Sequence, residues 1–228
     1  MKKNILIVED EQSIINLIKN RLDSNIYNVD IALDGKEALS LISKNIYDLI
    51  TLDIMLPNSD GFEICKFLRK KSFHTLIIMV SALDTEDFKQ KGYEFGCDDY
   101  IPKPFSPKEL AIKIKALLNR REQLYCNPKA KRLSSFILDE DSKSIKVNNK
   151  ELYLTPSEYL ILSIMINNSN KVYTRGELAQ LIYDNYFGEI DDRGIDSHIY
   201  HIRKKIKLYE QKELIKTVRG MGYTTNVN

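Results

Sequence analysis

The stretch Ile5-Leu6-Ile7-Val8-Glu9-Asp10 shows the pattern on which the first half of the chain is built. Four apolar residues, suited to a buried strand, are followed directly by two carboxylates. Further short apolar runs lie at residues 29–32, 49–52, 76–80 and 100–101. Between these runs, apolar residues recur at helical spacing, as at Ile14, Ile18 and Leu22. Five strands that alternate with helices predict an α/β domain whose parallel sheet is covered on both faces.

The composition is that of a globular chain with little overall charge. The 228 residues include 34 Lys and Arg against 32 Asp and Glu, a net charge of +2, and 43% of them are apolar. This apolar content is sufficient for packed cores and excludes a disordered chain. The length fits two ordinary domains. Because the total charge is near zero, only its local distribution can indicate a partner.

The sequence contains no segment that predicts a membrane span or a signal peptide. Residues 159–166 form one of the longest apolar runs, far below the roughly 20 residues that a span requires. The basic start Met1-Lys2-Lys3 is followed by too short an apolar run for a signal peptide. Three widely spaced cysteines favour reduced thiols over disulfides or a zinc site. They are Cys65, Cys97 and Cys126. We therefore expect a cytoplasmic protein.

The second half of the chain is organised differently. A charged segment with one proline, residues 121–132, predicts a linker between a first domain at 1–120 and a second at 133–228. Three short strand-like pieces, at 135–138, 144–147 and 151–154, precede a helix that opens at Thr155 and Pro156. Two further helices are predicted, one from near Thr174 and one over 193–208. Residues 215–227 predict a terminal β-hairpin with its turn at 219–222.

Residues at the carboxyl ends of the predicted strands form a candidate site in the first domain. Parallel strands bring these ends to one edge of the sheet, where ligands of such folds bind. The residues concerned are Glu9, Asp10, Asp53, Ser81 and Lys103. Carboxylate oxygens suit Mg²⁺, and a carboxylate beside the metal can attack phosphorus to form an acyl phosphate. A hydroxyl and an ammonium group can hold the phosphoryl oxygens.

A simpler interpretation applies to each acid taken alone. A single carboxylate at a strand end is usually a solvated loop residue or a helix cap that favours the dipole of the following helix. A set of acids, a hydroxyl and a lysine at four strand ends is much less frequent by chance. The combination therefore favours phosphoryl chemistry.

Residues 1–120 also resemble the receiver domain of response regulators. The motifs that carry the resemblance are ILIVEDE at 5–11, LDIMLPNSDG at 52–61, VSA at 80–82 and GCDDYIPKPF at 96–105. The resemblance implies a flavodoxin-like fold and a cis peptide bond before Pro104. It covers the whole of the first half in order.

The same resemblance implies a role for each residue of the candidate site. Asp53 would accept a phosphoryl group from a sensor histidine kinase. Lys103 and Ser81 would contact that group, and Tyr100 would reorient as Ser81 moves. The Mg²⁺ ligands would be Glu9, Asp10, Asp53 and the main-chain carbonyl of Met55.

The segment RGIDSHIYHIRKKIK at 193–207 gives the strongest indication of a ligand for the second domain. Its isoleucines recur every three or four residues, which predicts a helix packed on a core. Five Lys and Arg residues stand against the single acid Asp196, so the segment carries a local charge of +4. The polar face of such a helix can enter the major groove of DNA. The predicted DNA contacts on this helix are Arg193, Ser197, His198, Tyr200, His201, Arg203, Lys204 and Lys205.

A cationic helix is more often only a solvated surface, and two histidines three residues apart can suggest a metal. No cysteine or carboxylate cluster completes a metal site in this part of the sequence. DNA binding is favoured because residues 133–228 resemble the winged-helix output domain of the OmpR/PhoB subfamily. The matching motifs are LTPSEYLIL at 154–162, VYTRGEL at 172–178 and IKTVRGMGY at 215–223.

This second resemblance implies how the domain would contact its partners. The third helix would be the recognition helix, and the hairpin around Arg219 would be a wing that reaches the adjacent minor groove. Thr217 would contact the DNA backbone. The acidic segment at 183–192 would be able to contact RNA polymerase.

Resemblance further implies that phosphorylation promotes a receiver homodimer through the fourth helix, fifth strand and fifth helix. Opposite charges are available for three pairs across such an interface: Lys89 with Glu109, Asp99 with Lys113, and Asp98 with Arg120. Unpaired surface charges are the alternative, because an exposed ion pair contributes only about 0–1 kcal/mol.

The sequence as a whole favours a DNA-binding transcription regulator of a two-component system, controlled by phosphorylation of Asp53. One alternative is a DNA-binding regulator that works without phosphate. Another is an aspartyl-phosphate enzyme such as a phosphatase, which would need a second acid two residues after the nucleophile, where Met55 stands. We predict no enzymatic activity beyond self-phosphorylation and self-dephosphorylation.

Overall fold

The structure, a computed structural model, describes residues 2–71, 74–125, 131–133, 136–139, 144–183, 193–210 and 213–225. The chain divides into two compact units, residues 1–118 and 119–228, and each is treated by itself. Within the described ranges, no helix is both long and apolar enough to cross a membrane.

The first unit contains a five-stranded parallel sheet flanked by helices. The strands of the sheet are β1 (Lys3–Val8), β2 (Tyr27–Ala32), β3 (Leu49–Leu52), β6 (Leu76–Ser81) and β7 (Asp99–Pro102). Two further short strands, β4 (Met55–Leu56) and β5 (Ser59–Asp60), form a separate antiparallel pair. The helices are α1 (Gln12–Lys19), α2 (Gly35–Lys44), α3 (Gly61–Lys71), α4 (Glu86–Phe95) and α5 (Pro107–Tyr125). The sheet order is β2-β1-β3-β6-β7, and every neighbouring pair is parallel. This is the predicted flavodoxin-like α/β fold, and the peptide bond between Lys103 and Pro104 is cis, as the resemblance implied.

The apolar runs of the sequence are the strands at the centre of this sheet. Every residue of β3 and of β6 is buried, which is why these strands are almost entirely apolar, with Thr51 and Ser81 as the exceptions. Helix α4 packs against this core through the partly buried Phe88 and Phe95, and Gly92 between them is its buried residue. A methyl group at Gly92 would lie 3.0 Å from Met79 Sδ and from Tyr100 Cδ2. The glycine therefore lets α4 approach the sheet closely.

The second unit consists of an antiparallel sheet, three helices and a β-hairpin. Its strands are β8 (Lys131–Leu133), β9 (Phe136–Asp139), β10 (Ser144–Val147), β11 (Lys150–Leu152), β12 (Val172–Tyr173), β13 (Ile215–Val218) and β14 (Gly222–Thr225). Its helices are α6 (Pro156–Asn167), α7 (Arg175–Tyr183) and α8 (Arg193–Ile206). One sheet has the order β11-β10-β9-β8, and the other has the order β12-β14-β13. The three helices and the terminal hairpin confirm the predicted winged-helix architecture.

Helix α6 begins where the sequence predicts it. The Thr155 hydroxyl accepts a hydrogen bond from the backbone N–H of Glu158, and the Glu158 carboxylate accepts one from the backbone N–H of Thr155. This capping box satisfies two backbone donors at the helix start, with Pro156 in the first turn.

Two short strands and one helix end differ from the sequence-based expectation. Helix α5 continues to Tyr125, inside the predicted linker. Strand β8 begins at Lys131, also inside the predicted linker, and is an additional strand that pairs with β9. Strand β12 is only two residues long and pairs with β14 of the hairpin. Strand β12 depends on a pairing partner about 50 residues further along the chain, and β8 is only three residues long, so local sequence gives little sign of either. The limits of the linker stay a prediction, because residues 126–130 lie outside the described ranges.

Candidate functional sites

The carboxyl ends of β1 and β3 and the segment after β7 bring three of the predicted residues into direct contact. Lys103 Nζ lies 2.7 Å from Glu9 Oε2 and 2.6 Å from Asp53 Oδ2. Glu9 and Asp53 are only 2% and 5% exposed, whereas Asp10 beside them is exposed. One ligand atom from each of the three carboxylates lies within 4.8 Å of the others. The predicted convergence of these residues is therefore present in the structure.

The electrostatics of the cluster follow from burial and from the single lysine. Burial raises the pKa of Glu9 above its ordinary value, and the hydrogen bond from Lys103 opposes this shift only partly. Burial lowers the pKa of Lys103, but its hydrogen bonds to Asp53 and Glu9 outweigh that effect and leave it above the ordinary value. Lys103 therefore remains an ammonium ion at neutral pH. One cation faces three acids, which leaves the cluster attractive to a further cation.

The donor set of this cluster fits Mg²⁺. Glu9, Asp10 and Asp53 offer carboxylate oxygens, which are hard ligands, and Asp10 is open to solvent. The backbone N–H of Met55 donates to Asp53 Oδ1 at 3.0 Å, so the backbone of Met55 runs beside the same carboxylate.

The segment after Asp53 is held close to α3 by Gly61. The backbone N–H of Gly61 donates to the carbonyl of Ile54 at 3.0 Å. A Cβ atom at Gly61 would lie 2.3 Å from the carbonyl oxygen of Asp53 and 2.6 Å from Ile54 Cα. Only a residue without a side chain fits there, because no real Cβ approaches backbone atoms so closely. Gly61 therefore fixes the backbone that carries the Asp53 carboxylate.

Ser81 and Tyr100 meet the same short segment at the end of β6. Ser81 is fully buried, and its Oγ accepts a hydrogen bond from the backbone N–H of Leu83 at 3.3 Å. The Tyr100 hydroxyl donates to the carbonyl of Leu83. Tyr100 is 5% exposed, and burial raises its pKa to about 12. The two residues are thus connected through Leu83, with the tyrosine ring directed inward.

Four of the six residues predicted for a dimer interface have charged partners within the single chain: Lys89, Asp98, Asp99 and Lys113. Lys113 Nζ lies 2.9 Å from Asp99 Oδ2, so this predicted pair of opposite charges forms within one receiver domain. Lys89 Nζ lies 2.6 Å from Asp84 Oδ1. Glu109, its predicted partner across the interface, is half-buried in α5.

Asp98 corrects one of the predicted interface pairs. Its carboxylate is fully buried, 2.7 Å from Arg69 Nη2, and accepts the backbone N–H of Ile77 at 2.9 Å. A buried carboxylate requires such partners because its charge has lost its hydration. Asp98 is therefore not a surface group that could pair with Arg120, whose side chain lies outside the described part of the structure.

The recognition helix predicted from the sequence is α8, and its apolar face is confirmed. Ile195, Ile199, Ile202 and Ile206 are all buried. His198 and His201 are 4% and 6% exposed, so the prediction that they belong to the DNA-facing surface is wrong. Their burial extends the buried surface of the helix beyond the isoleucine stripe. Tyr200 and Lys204 are exposed and Ser197 is half-buried, while the side chain of Arg193 lies outside the described part.

Arg203 connects α8 to the hairpin. Its Nε and Nη2 donate to the carbonyl of Ile215 at 3.1 Å and 2.9 Å, and Nη2 also donates to Thr217 Oγ1 at 2.9 Å. The guanidinium lies 3.5 Å from a carboxylate oxygen of Glu213. At the other end of the strand that contains Ile215 and Thr217, Arg219 is exposed in the hairpin turn. Thr217 and Arg203, both predicted to contact DNA, thus contact each other.

A second connection, which sequence reasoning missed, involves the one acid of α8. Arg175 Nε donates to Asp196 Oδ1 at 2.7 Å, and the Tyr223 hydroxyl donates to the same oxygen at 2.6 Å. Lys205 pairs in the same way with Glu158 at the start of α6. These contacts hold α8 between α6, α7 and the hairpin. The segment 183–192, predicted to face RNA polymerase, lies outside the described residues apart from the backbone of Tyr183.

Comparison with known proteins places both units in described families. Residues 5–115 match the family described as "Response regulator receiver domain", and residues 149–225 match "Transcriptional regulatory protein, C terminal". The chain is 38% identical over 219 residues to the response regulator ArlR of Staphylococcus saprophyticus, which covers 96% of this chain and 97% of the relative. Response regulator ArlR of Staphylococcus aureus strain USA300 is 36% identical with the same coverage.

Solved structures of similar proteins span both units. A cysteine-to-serine mutant of RitR aligns with 99% of this chain and 100% of its own, with a TM-score of 0.79 and 25% sequence identity. DrrB of Thermotoga maritima, described as an OmpR/PhoB homolog, aligns over the same shares with a TM-score of 0.55 and 27% identity.

Proposed function

Because this chain belongs to the response-regulator family, as a two-component transcription regulator with a receiver domain and a DNA-binding domain, we propose that a phosphoryl group on Asp53 controls its binding to promoter DNA. Neither domain is of an enzyme type. The observation that carries the proposal is the contact of Lys103 with both Asp53 and Glu9 at the ends of distant strands.

In this proposal the carboxylate of Asp53 is the nucleophile. One of its oxygens attacks the phosphorus of a phosphohistidine on a sensor histidine kinase. The P–N bond breaks, and the imidazole leaves with the electron pair and takes a proton from water. Lys103 turns an N–H donor from the carboxylates to a phosphoryl oxygen, where negative charge accumulates. Ser81 is the hydroxyl proposed to hold a second oxygen, and Tyr100 is proposed to respond through Leu83.

Glu9, Asp10, Asp53 and the main-chain carbonyl of Met55 are the proposed ligands of Mg²⁺. The ion supplies positive charge that offsets the repulsion between the carboxylates and the incoming phosphoryl group. Because these ligands serve phosphoryl transfer to the chain itself, we expect self-phosphorylation from a small phosphodonor and self-dephosphorylation as the only chemistry of the receiver domain.

We expect Asp53→Asn protein to remain folded and to incorporate no phosphoryl group from acetyl phosphate, with or without Mg²⁺. The matched control is Asp87→Asn, which changes an exposed acid in α4 of the same domain and should be labelled like the unchanged protein. Intact-protein mass spectrometry measures the added phosphoryl group. Labelling of Asp53→Asn to the same extent, or equal labelling of the unchanged protein in EDTA, would contradict the proposed site.

DNA binding is proposed for the exposed side of α8 together with the wing. The exposed Tyr200 and Lys204 and the half-buried Ser197 form the stripe of α8 opposite its isoleucines, and Arg219 stands in the exposed turn of the hairpin. Arg193 is proposed as a further contact. Since DNA is the proposed ligand, we place the protein in the cytoplasm. If phosphorylated and unmodified protein bound the same promoter with equal affinity, the regulator that works without phosphate would be the better description.

Dimerisation on phosphorylation is proposed through α4, β7 and α5, with Lys89 and Glu109 as an intermolecular pair. Asp98 has no part in this proposal, because it is buried against Arg69. Sedimentation velocity of phosphorylated and unmodified protein tests it, and identical mass distributions would refute it. Contact of residues 183–192 with RNA polymerase stays a further proposal.

A further inference from the structure

The polar residues of α8 fall into two sets according to their contacts within the chain. Asp196, Arg203 and Lys205 are engaged in ion pairs and hydrogen bonds with neighbouring elements. Ser197, Tyr200 and Lys204 follow one another at spacings of three and four residues, take no part in those contacts, and lie on the side of the helix away from its isoleucines. Tyr200 is the only large side chain in the middle of this stripe.

The orientation of the Tyr200 ring is fixed by its neighbours. The side chain is 50% exposed, and its ring stands at 82° to the ring of His201 with centroids 5.0 Å apart. His201 is itself buried, so it offers Tyr200 a rigid support. Lys204 Nζ lies 5.9 Å from the centroid of the Tyr200 ring. A ring held on both sides in this way loses little conformational freedom when it binds a ligand.

An aromatic ring in the major groove can distinguish bases by an apolar contact. Thymine is the base that presents an apolar group there, its C5-methyl, whereas the other base edges present hydrogen-bonding groups. A neighbouring ammonium group such as that of Lys204 suits a phosphate. We infer that Tyr200 is the specificity-determining residue of α8 and contacts the C5-methyl of a thymine in the target site. This inference rests on the proposed binding of DNA through α8.

The test removes the methyl group from DNA and the ring from the protein. Target sites are first selected from random duplex DNA with the full-length protein, and each thymine of the selected site is then replaced by uracil, which lacks only the C5-methyl. At one position, this replacement should weaken binding of the unchanged protein about fourfold, the effect of about 0.8 kcal/mol per buried methyl-sized group. Tyr200→Ser should bind both DNAs equally at that position, and Tyr200→Phe should keep the discrimination.

Lys204→Ala is the matched control, an exposed residue one helical turn away. It should weaken binding to all sites and still discriminate uracil from thymine. The inference is overturned if the unchanged protein binds every uracil-substituted site as well as the thymine site, or if Tyr200→Ser discriminates as strongly as the unchanged protein. If no DNA is selected at all, the proposed function itself fails, and the inference fails with it.

Discussion

Replacement of Arg203 by alanine tests whether this residue holds the wing in place instead of contacting a phosphate. The change removes the hydrogen bonds from Nε and Nη2 to the carbonyl of Ile215 and from Nη2 to Thr217 Oγ1, at 2.9–3.1 Å. These bonds join α8 to the first strand of the hairpin. Without them, the hairpin that carries Arg219 keeps its other connection to the recognition helix, from the Tyr223 hydroxyl to Asp196, but is held less firmly.

The magnitude follows from the kind of bond and from its exposure. A hydrogen bond that involves a charged group contributes about 1.5–3 kcal/mol. The Arg203 side chain is 30% exposed, so water competes for these donors, and we expect the lower value of about 1.5 kcal/mol for the whole set. DNA affinity falls only by the cost of bringing the hairpin back into position on binding, which cannot exceed this free energy. Since 1.4 kcal/mol corresponds to a factor of ten, Arg203→Ala should bind DNA at most about tenfold more weakly.

The assay is the affinity for one duplex measured by fluorescence anisotropy across a salt series. A phosphate contact contributes about −0.9 to the slope of log affinity against log salt concentration. Arg203→Ala should leave the slope nearly unchanged, whereas Lys204→Ala, which removes an exposed cation from the same helix, should reduce it by about one contact.

Arg203→Lys separates charge from geometry, because lysine keeps the charge but not the planar set of donors that reaches two acceptors at once. We expect Arg203→Lys to bind nearly as weakly as Arg203→Ala. If Arg203→Ala reduced the slope as much as Lys204→Ala, and Arg203→Lys restored full affinity, Arg203 would be a phosphate contact and the reasoning from its hydrogen bonds would be refuted.

Two further predictions concern the receiver domain. Gly61→Ala should cost about 1–3 kcal/mol of stability and displace the backbone of Asp53, since the added Cβ would lie 2.3 Å from the Asp53 carbonyl oxygen. Labelling by acetyl phosphate should then fall at least severalfold. The control Gly176→Ala, where the added Cβ has open space around it, should be labelled like the unchanged protein. Burial raises the pKa of Cys65 to about 12 and that of Cys97 well above its ordinary value, so neither forms a thiolate near pH 8. In a Cys126→Ser protein, a thiol reagent should therefore react with Cys65 and Cys97 only after unfolding. Rapid reaction of the native protein would contradict this prediction.

The order of the elements and the edge of the sheet at which the acidic residues of the first domain meet could be predicted from the sequence. A strand that is apolar throughout, such as residues 76–80, is stable only in the middle of a sheet covered on both faces. Because the strands run parallel, the residues that follow each strand lie at the same edge of the sheet. Glu9, Asp53 and Lys103 meet there as predicted. Helix α4 gives a weaker signal, because its contact with the core rests on Phe88 and Phe95 and on the close approach allowed by Gly92.

The partners of charged and aromatic side chains could not be predicted in the same way. Helical spacing placed His198 and His201 on the polar side of α8, but a helix held between α6, α7 and a hairpin buries more of its circumference than one apolar stripe. The family resemblance led us to expect Asp98 at a dimer interface, yet Arg69 of α3 pairs with it and makes its burial possible.

Local pattern, then, fixed which segments are strands and helices and which residue types follow them, because apolar periodicity and strand direction act within a few residues along the chain. Contact between residues far apart in sequence settled which of those side chains are available to a ligand. Burial and pairing depend on what the other elements bring to the same place. For this protein, that separates Lys103, whose meeting with Glu9 and Asp53 the sequence predicted, from Arg203, whose hydrogen bonds to the hairpin it did not.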